Sequence, residues 1–352
     1  MIVSGTFVLA GCAAPTAKLN SNDQVELRRR AMEGLKAAVG YRDNAVVRVE
    51  AIEALNGREL NESAPWIRSA LLDDHPAVRF AACVAIGEAR DAGAGAGISQ
   101  CLRDPNASVR VSALFARHRL GYTERTGDLA GYYLHDSDAM VRRNAAMVLG
   151  LLGEKDAVKV LAKGMKDADA GVRDHALEAM ARLGNREARQ ELTFMTGAGL
   201  GSDEVFAINA LAATGDPAYM ETFRYKLNTA SHLETQLAAA RGLGLLHSDE
   251  GFEPAMRALR LEQPTRSDPQ DPAEGQILRT RQLAAAALGA IGRMDALPAL
   301  EKLLNDYGDP RVQVSAARAI LDILDAQRRN AMPFSTGSRG EWPVTPVGGR
   351  GR

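Results

Sequence analysis

The chain has 352 residues, 46% hydrophobic but only 5% aromatic, and 33 are glycine. Its 43 Lys and Arg nearly balance 44 Asp and Glu, so no global field draws it to nucleic acid or to an acidic membrane face. An Ala-rich, aromatic-poor composition favours close helix-on-helix contact over a sheet core.

The chain opens with MIVSGTFVLAGC (1–12), a short apolar run ending in Leu9-Ala10-Gly11-Cys12 with no Lys or Arg before it. The run is shorter than the roughly 20 residues that span a bilayer as a helix. It resembles a bacterial lipoprotein signal, which implies removal of 1–11 and lipidation of Cys12. The same resemblance implies a polar tether over 12–24 and a place in the bacterial cell envelope, lipid-anchored on the periplasmic or extracellular face.

From residue 43 one pattern recurs, an acidic turn followed by Val-Arg and an Ala-rich segment. Asp43 leads to VRVEAIEALNG (47–57), Asp74 to VRFAACVAIG (78–87) and Asp104 to VRVSALFARH (109–118). Asp136 leads to VRRNAAMVLG (141–150) and Asp167 to VRDHALEAMARLG (172–184). The leading valines lie 31, 31, 32 and 31 residues apart. Apolar residues at i, i+4, i+7 and i+8, as in Val78, Ala82, Ala85 and Ile86, predict one buried helical stripe. The Asp is expected to cap the helix and the terminal Gly to stop it. Worn copies follow at 206–215, 235–244, 280–289 and 312–324, making nine. Between them lie weaker amphipathic segments such as APWIRSALL (64–72) and DALPALEKLL (295–304). Two helices of about eleven residues and two turns fill each period, which predicts stacked helical hairpins in a superhelical rod.

The pattern Asp…Val-Arg-x-x-Ala-x-x-Ala-Leu-Gly resembles HEAT repeats of the short kind named after phycobilisome bilin lyases. The resemblance covers 25–328 and implies an all-α fold, a right-handed alpha-alpha superhelix of the HEAT/armadillo type. It also implies a ladder between neighbouring repeats, joining Asp43, Asp74, Asp104, Asp136 and Asp167 with Arg48, Arg79, Arg110, Arg142 and Arg173. Arg281 lacks such an acidic partner.

The pattern breaks at GAGLGSDE (197–204) and at LEQPTRSDPQDPAEGQILR (261–279), whose prolines and mixed charge predict an exposed loop. The tail 329–352, with Trp342 in EWPVTP, has no periodicity and is expected to be disordered. DAGAGAGIS (91–99) follows no strand and is expected to be a flexible turn rather than a phosphate loop.

Signs of chemistry are sparse. The three cysteines show no C-x-x-C pair, and Cys83 and Cys101 sit among apolar neighbours as small buried hydrophobes. No His-Glu dipeptide and no G-x-S-x-G occur, and the histidines fall at different offsets within their repeats. The sequence therefore leads to a membrane-anchored, non-catalytic scaffold for a protein partner, with no cofactor, no nucleic acid and no small-molecule substrate. Bilin lyase-like activity, another HEAT-repeat enzyme or an enzyme accessory subunit is the alternative. Outward positions of the second helices, Glu50, Glu53, Arg143, Asn144, Asp174 and Glu178, are the candidate partner-binding residues.

Overall fold

The computed structural model describes residues 19–264, 271–305 and 308–331, the side chains of 330 and 331 excepted. These residues form eighteen α-helices and no strand, in nine hairpins. The first five are α1 (Ser21–Val39) with α2 (Ala45–Leu55), α3 (Leu60–Ser69) with α4 (Pro76–Ala89), α5 (Gly95–Cys101) with α6 (Ala107–Arg119), α7 (Asp128–His135) with α8 (Ala139–Leu152), and α9 (Ala157–Leu161) with α10 (Ala170–Arg182). The last four are α11 (Arg186–Met195) with α12 (Gly201–Ala212), α13 (Met220–Thr229) with α14 (Leu233–Leu245), α15 (Phe252–Leu259) with α16 (Ala273–Ile291), and α17 (Leu297–Asn305) with α18 (Pro310–Ala331). No helix among the described residues is long and apolar enough to cross a membrane.

Five of the second-helix starts are capped locally, though not by the residues expected. Asn44, Asn106, Asp138 and Asp169 cap α2, α6, α8 and α10 by accepting from backbone N–H groups at 2.8–2.9 Å, and His75 caps α4 through Nδ1 at 3.2 Å. The aspartates named from the sequence stand one or two residues earlier, too far back to reach the free N–H groups. Glycine is also reassigned. α4 and α8 run past Gly87 and Gly150 instead of stopping there. A Cβ on Gly87 would lie 2.9 Å from the Ala116 Cα, and one on Gly150 would lie 2.9 Å from the Ala179 Cα. These glycines let successive inner helices touch backbone to backbone.

The recurrent Arg does two jobs. In Arg79, Nη1 donates to the Asp73 and Asp74 carbonyls of its own turn, while Nε and Nη2 fork onto Asp104 of the next repeat at 2.7 and 2.9 Å. Arg142 repeats the arrangement with Asp136 and Ser137 carbonyls and the Asp167 carboxylate. Arg48 reaches both Asp73 and Asp74, at 2.8 and 2.9 Å. The position in register with Asp104, five before the leading valine, is Asp73, which is the half-buried partner; Asp74 is exposed. Asp43 is exposed and forms no ion pair among the described residues. Arg110 turns to the Tyr132 hydroxyl at 3.0 Å instead of Asp136, and Arg173 holds the Asp167 and Ala168 carbonyls.

Burial alone would raise the Asp104 carboxyl. The Arg79 fork, the Asn106 N–H and the Arg79 and Arg110 charges outweigh it and hold the carboxyl below its usual range. A depressed carboxyl contributes stability that is present above the unfolded pKa and is lost as pH falls through the folded one. Asp104→Asn is expected to cost about 2 kcal/mol at neutral pH, and the gap from the parent protein should close on acidification. Urea unfolding at pH 7 and below pH 4 checks this; a gap that stays constant would contradict it.

Several boundaries move. α1 begins at Ser21, inside the expected tether, through an Asn20–Asp23 capping box. α16 begins at Ala273, inside the expected 261–279 loop: the prolines end at Pro272, and AEGQILRT beyond it favours helix. DAGAGAGIS is not a flexible turn. It is a 3-10 segment (92–94) leading into α5, locked by buried Asp91, which accepts from Arg68 at 2.5 and 2.7 Å and from the Gly93 N–H. α18 continues to Ala331, into the expected tail. The Cys12 segment and the tail from 332, Trp342 included, lie outside the described residues.

The rod is replaced by a ring. Even-numbered helices pack in succession from α2 to α18, and α18 then packs on α2 and α1. The seam is sealed by apolar and ionic contacts together. Leu27, Ala31 and Leu35 of α1 are fully buried, and a Cβ on Gly34 would lie 3.7 Å from the Leu304 Cδ1. Arg58 donates to Asp322 and Asp325, each at 2.7 Å, Arg28 joins Glu62 to Asp325, and Arg30 pairs with Glu301.

Candidate functional site

Closing the ring places the even helices around a lumen with two cavities. One, of about 590 Å³, is walled by α2, α4, α6 and α8 and presents Val49, Phe80, Val84, Met140, Met147 and Leu151 as an apolar surface. The other, of about 800 Å³, lies between α2, α12, α14, α16 and α18 and includes Val205, Leu283 and Val314. Both are in the size range of ligand sites. Glu53 of α2 and Arg318 of α18 line both cavities, so the pair stands at their junction.

The lumen-facing positions follow from helix geometry. They fall two, three and six residues after the leading residue of each repeat: Val49, Glu50 and Glu53; Phe80, Ala81 and Val84; Val314, Ser315 and Arg318. Offsets two and six lie one turn apart on a face that the buried i, i+4, i+7, i+8 stripe leaves free.

Of the sequence candidates, Glu50, Glu53 and Asn144 line the lumen. Asn144 donates to the Ser108 hydroxyl at 2.9 Å, and Glu50 accepts from Gln282 at 3.2 Å across the ring. The other three do not line either cavity. Arg143 is forked onto Asp169 at 2.7 and 2.8 Å, and Glu178 pairs with Arg182 at 3.2 Å. Asp174 is half-buried, which raises its pKa.

Charge in the lumen is unevenly compensated. Glu53 is exposed, yet the protein around it partly desolvates its carboxyl and raises it; the Arg318 charge opposes this and Glu88 reinforces it. Glu50 is raised by burial too, against the Gln282 hydrogen bond. Arg318 has one ion pair among the described residues, a 4.0 Å approach to Asp322, whose carboxylate already takes Arg58 at 2.7 Å. Arg241, outside both cavities, hydrogen-bonds the Asn209 amide oxygen at 3.2 Å; burial and the Arg318 charge lower its pKa. Sequence reasoning missed Phe80, Met147 and Arg318. Their signal was residue type at the free offsets, above all an Arg at offset six in the worn last copy.

Three comparisons bear on this geometry. HEAT repeats are matched at residues 32–116 and 128–198, and a PBS lyase HEAT-like repeat at 280–306, so the chain carries HEAT repeats along much of its length. Phycocyanobilin lyase subunit alpha of Picosynechococcus sp. strain PCC 7002 is 29% identical over 219 residues, covering 60% of this chain and 74% of the relative. Among solved structures, the complex of CpcE and CpcF of phycocyanin lyase from Nostoc sp. PCC7120 aligns at 18% identity over 71% of this chain and 97% of that one, TM-score 0.41. Human deoxyhypusine hydroxylase aligns at 18% identity over 86% and 98%, TM-score 0.37. The lyase relative overturns the expectation of a non-catalytic scaffold and of a chain that is no enzyme. The expectation of no small-molecule substrate loses its ground with it.

Proposed function

We propose that this HEAT-repeat chain is a lyase or lyase subunit of the phycocyanobilin lyase kind, and that its ring lumen receives a linear tetrapyrrole pigment. The observation that carries the reading is the closure of α18 on α2, which encloses an apolar wall and lightly paired charge in one space. A conjugated tetrapyrrole is a long apolar body with carboxylates and pyrrole N–H groups along it. Phe80, Met140, Met147 and Leu151 suit its face, and Met side chains adapt to irregular ligand outlines. The sequence similarity to a lyase subunit supports the activity. A subunit also implies a protein partner, for which the outer helices of a repeat fold offer surface.

The test uses the full chain, phycocyanobilin, and an acceptor phycobiliprotein with and without a companion lyase subunit. Pigment is expected to change its absorbance and fluorescence on adding the chain, and covalently attached pigment on a denaturing gel should rise at least severalfold. Unchanged spectra together with unchanged attachment would sink the reading.

A further inference from the structure

We infer that Arg318 is a carboxylate seat at the junction of the two cavities, and that Glu53, which lines both cavities with it, receives N–H donors of the same ligand. This rests on the tetrapyrrole reading of the lumen and adds which atoms of the ligand are held, and where.

The inference comes from a contrast within the molecule. The arginines that hold this fold together are forked onto carboxylates or carbonyls: Arg79 on Asp104, Arg142 on Asp167, Arg143 on Asp169, and Arg58 on Asp322 and Asp325. Such pairing is what a guanidinium withdrawn from water requires. In the lumen Arg318 differs: it keeps 46% of its side chain exposed to water and has only the 4.0 Å approach to an already engaged Asp322, so its guanidinium is open to a ligand. A guanidinium so lightly paired offers an anion a point of attraction, and low-dielectric walls strengthen that pull. A carboxylate set there would accept from the planar guanidinium fork, to which no group among the described residues is hydrogen-bonded.

Glu53 restricts the ligand class further. A simple anion would meet repulsion from its carboxylate, which lines both cavities beside Arg318. A ligand that places a carboxylate on Arg318 and donates N–H groups to Glu53 satisfies both side chains. Fatty acids and other carboxylates without N–H donors fit one half of the arrangement only.

The experiment titrates the full chain with phycocyanobilin and with its dimethyl ester, which keeps the conjugated system and the pyrrole N–H groups but has no free carboxylate. The free acid should bind about ten- to a hundredfold more tightly than the ester, the scale of hydrogen bonds to a charged group. Arg318→Gln should bring the acid to the affinity of the ester and leave the ester unchanged. Arg318→Lys, which keeps the charge and loses the fork, should retain part of the preference. Equal binding of acid and ester by the parent chain, or an acid preference undiminished in Arg318→Gln, overturns the carboxylate seat while the lumen reading stands. If neither pigment binds, the lumen reading falls and the seat falls with it.

Discussion

Phe115→Ala is expected to destabilise the ring by about 3–5 kcal/mol, the range for removing a fully enclosed phenylalanine. Phe115 has no exposed surface, and its ring fills the space that Gly87 leaves open: a Cβ on Gly87 would lie 2.7 Å from the Phe115 Cε1. Truncation therefore leaves a void at the contact between α4 and α6 that their close-packed backbones are poorly able to collapse. The paired change sharpens the test. Gly87→Ala alone should destabilise by about 1–3 kcal/mol through overpacking, and part of that cost should vanish in the Phe115→Ala background, although the Ala116 Cα at 2.9 Å keeps some of it. Thermal and urea unfolding of the two single variants and the double variant measure the coupling; strict additivity would show that Phe115 and Gly87 do not share one packing defect.

Arg58→Ala is expected to open the ring, at a cost of roughly 3 kcal/mol. That is the low end for breaking a buried ion pair, because Asp322 remains 38% exposed and water compensates it in part. The side chain of Arg58 is only 6% exposed and binds two carboxylates of α18 at once. Its loss leaves Asp325 facing Arg28 alone across the seam at 3.4 Å. A ring has no terminal repeats, so each hairpin is held by two neighbours; once opened, α1 and α18 become ends that fray. Small-angle scattering should register a larger radius of gyration, and hydrogen exchange should quicken first in α1, α2 and α18. Exchange that quickens evenly around the ring, with unchanged dimensions, would mean that the seam does not depend on Arg58. The lumen exists only while the ring is closed, so pigment binding should weaken in step with opening.

How much of this was legible in the sequence differs between levels of structure. The repeat length, the helical type of each segment and the buried stripe were readable because a 3.6-residue period and a residue's preference for helix are local properties. Val78, Ala82, Ala85 and Ile86 are all buried, as their spacing requires. Features set by one repeat's fit to the next were read in part: the resemblance supplied the Arg79–Asp104 and Arg142–Asp167 pairs, but other roles were misread. The cap was placed on Asp104 where Asn106 does the capping, and Gly87 was taken as a stop where it is a contact point. In each instance the residue type was informative, but its role depended on a neighbour some thirty residues away.

The candidate site divides along the same line. The free offsets of the second helices pointed to Glu50, Glu53 and Asn144, and the structure sets these in the lumen. The same offsets pointed to Arg143, which Asp169 of the following repeat occupies. By itself the sequence determined a chain of nine helical hairpins with an Ala-rich stripe on the second helices, because those are properties of each unit. Only the tertiary structure decided that the units close into a ring, that α18 meets α2, and that Arg318 and Glu53 line the same two cavities. A small rotation between neighbours accumulates over nine hairpins, and whether the sum brings the ends together is a property of no single repeat.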